Sequence, residues 1–246
     1  MRYFITFSYD GSKYSGYQKQ PNKRTVQGEL EKVLQKINSN VVVNVSASGR
    51  TDAGVHAINQ KAHFDLIKDL DESRLHLSLN GLLPRDIYIK RVEKVAYDFH
   101  ARFNVCSKEY IYVINMGEYN PIECDYVYQY CKKLDLNKIK DALKYLEGTH
   151  NFKSFTKSDD IKDDYCRTII KTDIVNDSKD DNKIIISLLG TGFMRYMVRN
   201  IVGVLIEIGE GKRSVDDIKM VLQAEDRNKA GKTAPPEGLY LKDVFY

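Results

Sequence analysis

A short polar segment near residue 50 contains the side chains best suited to chemistry. It reads SASGRTDAGVHA from Ser46 to Ala57, with Arg50 two residues before Asp52. Gly49 and Gly54 flank this pair, and glycine lets a backbone turn sharply or approach a ligand closely. The residues alone fit two hypotheses. Asp52 is a turn or capping residue, as most loop aspartates are, or it is a carboxylate held in a cleft as nucleophile or general base.

Several other kinds of site are excluded or disfavoured by spacing. No GxxxxGK[ST] is present and no GxGxxG follows a predicted strand, so a nucleotide-phosphate loop is excluded. The four cysteines show no CxxC spacing and no histidine at zinc-finger distance. We therefore expect no metal site, and reduced, mostly buried thiols. The five histidines form no cluster, and we expect His56 to be a structural partner of its own loop.

The composition is that of an ordinary soluble globular protein. The chain has 246 residues, of which 42% are hydrophobic and 29% charged, and no apolar run is long enough to cross a bilayer. Because the N-terminus begins a strand pattern at once, without the pattern of a signal peptide, we expect a cytoplasmic protein with no membrane partner. The formal charge of +4 is too small to indicate nucleic-acid binding by itself. The recurring basic residues fit either a one-sided basic face or ordinary solvated surface.

The elements of the first half place the polar segment at the end of a strand. Apolar residues on one helical face predict a helix that begins after Thr25, the expected N-cap. VVVNVSA (41–47) is predicted as the strand that runs into GRTDAG, and loops after strands tend to present catalytic side chains. Further strands are predicted at 2–10, 61–66 and 87–95, with a loop at 10–24 and a short helix at 75–82.

The second half has a similar order of elements. Strands are predicted at 108–116, 167–175, 183–189 and 238–246, with helices at 138–147, at 193–209 and from near Ser214. We expect an α+β fold made of two similar α/β sandwich-like halves, 1–105 and 106–246. Their mostly antiparallel sheets are expected to join into one extended sheet with helices on one face and an active cleft between the halves, because the connections are too irregular for a doubly wound fold.

The polar segment has a close counterpart in a known family. SGRTDAGVHA resembles, nearly letter for letter, the catalytic motif of the tRNA pseudouridine synthase A family, which modifies the anticodon stem-loop. Further segments match in the same order, so the resemblance spans practically the whole chain and is not a chance match of one motif. They are FSYDGSKYSGYQKQP (7–21) with RTVQGELE (24–31), LPRDI (83–87) with DFHARFN (98–104), KEYIYVI (108–114), GTHNFKSF (148–155), GFMRYMVRNIVGVLIEIGEGK (192–212) and APPEGLYL (234–241).

Two departures from the family pattern stand out. Tyr17 occupies a position where the family more often has tryptophan or phenylalanine, an exchange that keeps an aromatic ring. The acidic segment SDDIKDD (158–164) has no clear family signature, although the corresponding loop in relatives touches RNA. An RNA contact through this segment is therefore in doubt.

The resemblance implies isomerisation of uridine to pseudouridine in tRNA, at positions 38, 39 and 40, after base flipping. Asp52 is implied as the nucleophile. Arg199 is the candidate for orienting its carboxylate, because it lies on a half-apolar helical face and needs a partner there; the alternative is an ordinary structural ion pair. Tyr110 is implied to stack on the target base and to assist proton removal from C5, where the alternative is a core tyrosine. Arg50 is implied to occupy or brace the position of the flipped base, where the alternative is a surface arginine.

The stretch FHARF (99–103) resembles the RNA-contacting stretch of the family. Arg102 is suited to phosphate, and His100 to hydrogen bonding or stacking. Phe99 and Phe103 flank Ala101, and alternating aromatics suit a buried linker strand equally well.

The same resemblance implies tRNA as the partner and a homodimer as the working form, with no cofactor, because the isomerisation is redox-neutral. No further protein partner is implied. Two rival hypotheses are a non-catalytic RNA-binding module, in which Asp52 would have no reason to persist, and an aspartate-dependent nucleosidase. The nucleosidase requires a second acidic residue at working distance, and none is evident in the matching segments.

Overall fold

The computed structural model describes residues 1–157 and 164–246, and these form two compact units. Unit 1 consists of Met1–Cys106 and Tyr240–Tyr246, and unit 2 of Ser107–Leu239. The strands and helices of both units confirm the predicted α+β class with mostly antiparallel strand pairs. Apart from its last residue, the acidic segment 158–164 lies outside the described residues. No helix in the described part of the chain is both long and apolar enough to cross a membrane.

The elements are numbered along the chain. The strands are β1 (Arg2–Tyr9), β2 (Ser46–Ala47), β3 (His56–Asp65), β4 (Ile87–Val95), β5 (Ser107–Asn115), β6 (Tyr128–Gln129), β7 (Gly148–Asn151), β8 (Cys166–Asp177), β9 (Asp180–Gly190) and β10 (Leu239–Phe245). The α-helices are α1 (Val26–Ile37), α2 (Glu72–Leu82), α3 (Leu136–Lys144), α4 (Met197–Gly209) and α5 (Asp217–Ala224). Two short 3-10 helices cover Lys153–Phe155 and Arg227–Ala230.

The sheet of unit 1 has the strand order β4-β1-β3-β10, with β2 also paired to β3. Its pairs are antiparallel except for β3 and β10, which run parallel. Alternate side chains of β1, such as Ile5 and Phe7, are fully buried, as are Leu30 and Leu34 of α1, so strand and helix both contribute to the core. Helix α1 begins after Thr25, whose hydroxyl accepts a hydrogen bond from the Gly28 amide, as predicted.

The sheet of unit 2 has the order β5-β9-β8-β7, all antiparallel, and β6 pairs parallel to β5. The two predicted strands at 167–175 and 183–189 are present and longer than predicted. Helix α4 is almost entirely buried, which explains why its sequence is apolar nearly all round. It begins four residues later than predicted because Tyr196 has a left-handed backbone, with φ 65°, which does not continue a helix.

The predicted strand at 41–47 is wrong over most of its length, since only Ser46–Ala47 pair as a strand. Val41 and Val42 are 46% and 68% exposed. The polar groups of Val45 bond instead to side chains of α1: its amide donates to the Glu31 carboxylate and its carbonyl accepts from the Gln27 amide. A run of valines favours a strand, but here helix side chains satisfy the backbone in place of a neighbouring strand.

The expectation of mostly buried cysteines is also wrong, because all four are exposed free thiols. Cys106 immediately precedes β5, and Cys166 is the first residue of β8. Cys124 and Cys131 lie just before and just after β6, and Cys131 has a left-handed backbone with φ 58°. Ends of strands and turns leave small side chains accessible whatever their polarity.

We predict that Gly203→Ala destabilises the protein by about 2 kcal/mol, because a Cβ at this position of α4 would lie 1.9 Å from the carbonyl oxygen of Lys232. The free energy of unfolding, measured by urea denaturation, checks this. The matched control is Gly81→Ala in α2, where no atom lies within 4 Å of the added Cβ. Alanine has a higher helix propensity than glycine, so the control is expected to raise the free energy of unfolding by about 1 kcal/mol. Equal effects of the two substitutions would contradict the close approach at Gly203.

Candidate active site

Asp52 lies in the loop between β2 and β3, and the loop is fixed where it leaves β2. The Ser48 amide donates to the Lys61 carbonyl at 2.8 Å, and the Ser48 hydroxyl donates to the Gln60 side chain at 2.5 Å. The Gln60 amide nitrogen donates in turn to the Gly49 carbonyl at 3.1 Å. Ser48 and Gln60 are fully buried, so these bonds are shielded from water and hold the loop against β3.

The loop at 11–17 lies directly against the Asp52 loop. The Tyr17 amide donates to the Thr51 carbonyl at 3.1 Å, and the Tyr9 hydroxyl hydrogen-bonds the Thr51 hydroxyl at 2.8 Å. Two glycines permit this proximity. A Cβ on Gly11 would lie 2.0 Å from the Val55 carbonyl oxygen. A Cβ on Gly16, whose φ is 95°, would lie 3.0 Å from the Thr51 carbonyl oxygen. Side chains at either position would push the two backbones apart.

His56, the first residue of β3, closes the loop. Its ring is buried, and Nδ1 accepts a hydrogen bond from the Gly11 amide at 3.1 Å. The Asp10 carboxylate lies 3.4 Å from the same nitrogen. The ring also stacks on Tyr240 with centroids 4.7 Å apart. These contacts make His56 a structural partner of the loop, as expected from the sequence.

Asp52 is half-buried and Arg50 is exposed. Gly54, with φ 79°, turns the backbone after Asp52, and the Val55 amide donates to the Asp52 carbonyl at 3.2 Å. The two residues that the sequence singled out thus lie on one short turn whose ends are held by buried contacts. Such a turn presents side chains in a fixed direction, which is what a catalytic carboxylate requires.

Tyr17 forms part of the wall behind this turn. Its side chain is buried, with its ring centroid 6.5 Å from that of Tyr9. Its hydroxyl oxygen is buried too and makes no hydrogen bond to any residue in the described part of the chain. Burial accordingly raises the pKa of Tyr17 well above its ordinary value. Phenylalanine would fill the same space without a polar atom to desolvate, which fits the aromatic preference that the resemblance implies.

Tyr110 lies on β5 in unit 2. Its side chain is buried and packs edge to face against Phe193, with ring centroids 5.0 Å apart and planes at 73°. Phe193 belongs to the segment that precedes α4, and the sequence reasoning did not single it out. The sequence feature that could have indicated it is the Gly-Phe pair at the start of the matching segment 192–212.

Arg199 lies in the first turn of α4, also in unit 2. Its Nε donates to the Ala234 carbonyl at 2.7 Å, and its own carbonyl accepts from the Ala234 amide at 3.0 Å. The guanidinium carbon lies 5.0 Å from the ring centroid of Tyr196. The arginine is therefore held by a backbone carbonyl and an aromatic face, which fix the plane of its guanidinium.

Glu237 lies near this arginine and was missed by the sequence reasoning, although it lies within the matching segment APPEGLYL. It is half-buried, and burial raises the pKa of Glu237 while the charge of Arg199 opposes that shift. Nothing in the spacing of the sequence distinguishes this glutamate from a surface residue.

The stretch 99–103 in unit 1 divides into inward and outward side chains. Ala101 is buried, and Phe99 packs edge to face on Phe4 with centroids 4.9 Å apart. Arg102 and Phe103 point outward, Phe103 being 77% exposed. The sequence did not decide whether Phe99 and Phe103 are core or surface residues. In the structure Phe99 packs inward and Phe103 points outward.

A stack of rings supports the outward part of this stretch. Phe103 stacks on His100 with centroids 4.2 Å apart, and His100 meets the buried His63 edge to face at 4.5 Å. Nδ1 of His63 accepts from the Ala101 amide at 3.1 Å, so the innermost ring is fixed by the backbone. Burial lowers the pKa of His63 to about 4, helped by the positive charge of Arg2.

Comparison with known proteins identifies the family. A family model described as tRNA pseudouridine synthase matches residues 5–104 and 142–246. The tRNA pseudouridine synthase A of Geobacillus sp. (strain WCH70) is 46% identical over 98% of this chain and 96% of its own length. The enzymes of that name from Anoxybacillus flavithermus and Streptococcus mutans are 44% and 42% identical, over 98% and 100% of this chain and 97% and 99% of their own lengths.

The chain therefore belongs to the tRNA pseudouridine synthase family. Its activity is the formation of pseudouridine in tRNA, which makes it an isomerase, as the resemblance implied.

We predict that stability falls by about 2 kcal/mol between pH 7 and pH 5 because of His63. Its pKa in the folded state, about 4, is lower than the 6.5 of a free histidine, so the unfolded chain binds the extra proton in this range. Folding is then progressively disfavoured as pH falls through that window. Urea denaturation at both pH values measures the loss.

The test variant is His63→Asn, which keeps an acceptor for the Ala101 amide but does not titrate. It is expected to lose most of this pH dependence. His76→Asn, a histidine of α2 in the same unit, is the control and is expected to keep the wild-type dependence. An unchanged slope in His63→Asn would show that another group is responsible.

Proposed function

We propose that this enzyme isomerises uridines of the anticodon stem-loop, at positions 38, 39 and 40, with Asp52 as the nucleophile. The observation that carries the proposal is the turn that holds Asp52, whose backbone is fixed by buried bonds to Gln60 and by the close approach of Gly11 and Gly16. The motif on this turn is the one that resembles the catalytic motif of the family, and its surroundings suit a carboxylate that must be aimed accurately.

In the proposed reaction the Asp52 carboxylate attacks C1′ of the target ribose. The C1′–N1 bond breaks, and its electron pair leaves with the uracil. The uracil turns until C5 faces C1′, forms the C1′–C5 bond and displaces the carboxylate. C5 then loses its proton while N1 gains one. Substrate and product contain the same atoms, so the reaction requires no external group and we propose no cofactor.

Two residues of unit 2 take part in this proposal. Tyr110 stacks on the target base in this proposal. Phe193 packs edge to face against its ring and so fixes the plane that the ring offers. Its hydroxyl is the candidate for assisting proton removal from C5. Arg199 orients the Asp52 carboxylate, because its guanidinium is fixed through Nε and its planar fork matches the geometry of a carboxylate.

A base in a helical stem must leave the stack before its ribose can react, at a cost of a few kcal/mol. We assign Arg50 to the vacated position. It is exposed and lies two residues before Asp52 on the same turn, so a side chain that braces the opened stem is close to the nucleophile.

The stretch 99–103 is proposed to contact RNA through its outward residues only. Arg102 suits a phosphate, and Phe103 on His100 offers an aromatic face to an unpaired base. Phe99 and Ala101 hold the stretch in place.

We also propose that the enzyme works in the cytoplasm as a homodimer on one tRNA. The support for this is the family resemblance, together with bacterial relatives named for an activity on tRNA.

We predict that Asp52→Asn lowers the rate of pseudouridine formation more than about a thousandfold, because an amide is too weak a nucleophile to displace the base. Affinity for tRNA should change little. The measurement is pseudouridine mapping at positions 38, 39 and 40 of a tRNA transcript under single-turnover conditions. Asp181→Asn, the same change at an exposed residue of β9, should leave both rate and positions unchanged.

Transcripts that contain 5-fluorouridine add a second readout, because a C–F bond replaces the proton that C5 must lose. Wild-type enzyme should convert the base to a product that stalls before that loss, and Asp52→Asn should not. Release of free 5-fluorouracil would instead indicate a hydrolase. Full activity of Asp52→Asn would overturn the proposed nucleophile, and modification only outside 38–40 would overturn the proposed positions.

We predict that Phe103→Ala weakens tRNA binding about tenfold, since stacking of one base contributes about 1–3 kcal/mol. The dissociation constant is measured by fluorescence titration at fixed salt. Leu77→Ala in α2 is the control, because Leu77 is as exposed as Phe103, 71% against 77%. Equal affinities of the two variants would contradict a stacking role for Phe103.

A further inference from the structure

A polar cluster next to Arg199 in unit 2 consists of Asn200, the following residue of α4, and the half-buried Arg227 and Thr233. Asn200 is fully buried on α4. Its oxygen accepts from the Thr233 hydroxyl at 2.7 Å and from Arg227 Nη2 at 3.0 Å, while its nitrogen donates to the Phe155 carbonyl at 2.7 Å. Every polar atom of this side chain is therefore bonded, and each bond joins α4 to a different segment.

Arg227 occupies an unusual environment within the cluster. It donates to the Gly231 carbonyl at 2.8 Å, to the Thr233 hydroxyl at 2.8 Å and to Asn200. All three acceptors are neutral, and no carboxylate of residues 1–157 or 164–246 forms an ion pair with it. Burial without a compensating anion lowers the pKa of Arg227. The guanidinium is therefore held by hydrogen bonds to neutral groups and not by an ion pair.

The cluster fixes the segment that holds Arg199. Gly231 and Thr233 are bonded to Arg227, and Ala234 exchanges two hydrogen bonds with Arg199. The next carbonyl, of Pro235, accepts from the Tyr112 hydroxyl at 2.7 Å. Bonds on both sides of the Ala234 carbonyl therefore hold this segment: the Thr233 hydroxyl is bonded before it and the Pro235 carbonyl after it.

We propose that Asn200, Arg227 and Thr233 are positioning residues for catalysis, which hold the Ala234 carbonyl against Nε of Arg199 and so aim its guanidinium. This inference rests on the proposed role of Arg199 in orienting Asp52. A misplacement of about 1 Å costs up to about a hundredfold in rate. Loss of an interaction made only in the transition state lowers kcat and leaves KM unchanged.

The test compares Thr233→Val with Thr233→Ser. Valine keeps the branched shape and removes the hydroxyl, whereas serine keeps the hydroxyl. We expect Thr233→Val to lower kcat for pseudouridine formation about tenfold with KM for tRNA unchanged, and Thr233→Ser to recover kcat to within about twofold. Arg227→Lys, which keeps the charge but cannot bridge Gly231 and Thr233, provides a second test should Thr233→Val fold poorly, and it too should lower kcat alone.

A double variant separates this inference from the proposed function. Arg199→Lys has a positive charge but no Nε, so in that background Thr233→Val should cause no further loss of kcat. Equal loss in both backgrounds, full activity of Thr233→Val, or failure of Thr233→Ser to recover kcat would overturn the positioning role while leaving Arg199 in place. Wild-type kcat in Arg199→Lys would overturn the role of Arg199 itself.

Discussion

The contact of the 11–17 loop with the backbone of Thr51 to Val55 determines where Asp52 lies. The contact is made by main-chain atoms, with Gly11 against the Val55 carbonyl and Gly16 against the Thr51 carbonyl. Backbone positions vary less than side-chain rotamers, so a carboxylate held in this way has little freedom to drift. The buried bonds of Ser48, Gln60 and His56 fix the two ends of the same turn, and the sheet of unit 1 supports them.

Unit 2 uses a related arrangement around Arg199. A backbone carbonyl accepts from the side chain of Arg199, and the polar cluster of Asn200, Arg227 and Thr233 holds the residue just before that carbonyl. The two arrangements differ in cost. Glycines at a close approach lose conformational entropy on folding, whereas the cluster keeps a guanidinium partly out of water among neutral acceptors. Both costs fall at positions where the proposed chemistry requires accuracy.

Local patterns in the sequence predicted most elements, because strand alternation and helical periodicity are local properties. Helix α1 with Thr25, and strand β4 at 87–95, are examples. The valines at 41–45 predicted a strand wrongly because a strand also requires a neighbouring strand. Here the side chains of Glu31 and Gln27 bond the Val45 backbone instead. The site could be predicted less well from the sequence than the elements. The residues around Asp52 leave its role open, and the nucleophile is proposed from the family motif alone. The bonds of Asn200 to residues 155, 227 and 233 bridge separations that no short pattern encodes.

The exposed ring of Phe103 bears on how the enzyme would discriminate between nucleotides. An aromatic face has no donor or acceptor with which to read a base edge, and every base has a face to offer it. His100 and the neutral His63 beneath it support the ring from behind. A base bound there would be held whatever its identity. In the proposed reaction, the choice of uridine would then fall to groups that meet the edge of the flipped base, and the nucleotide at Phe103 would be free to differ from one tRNA to another.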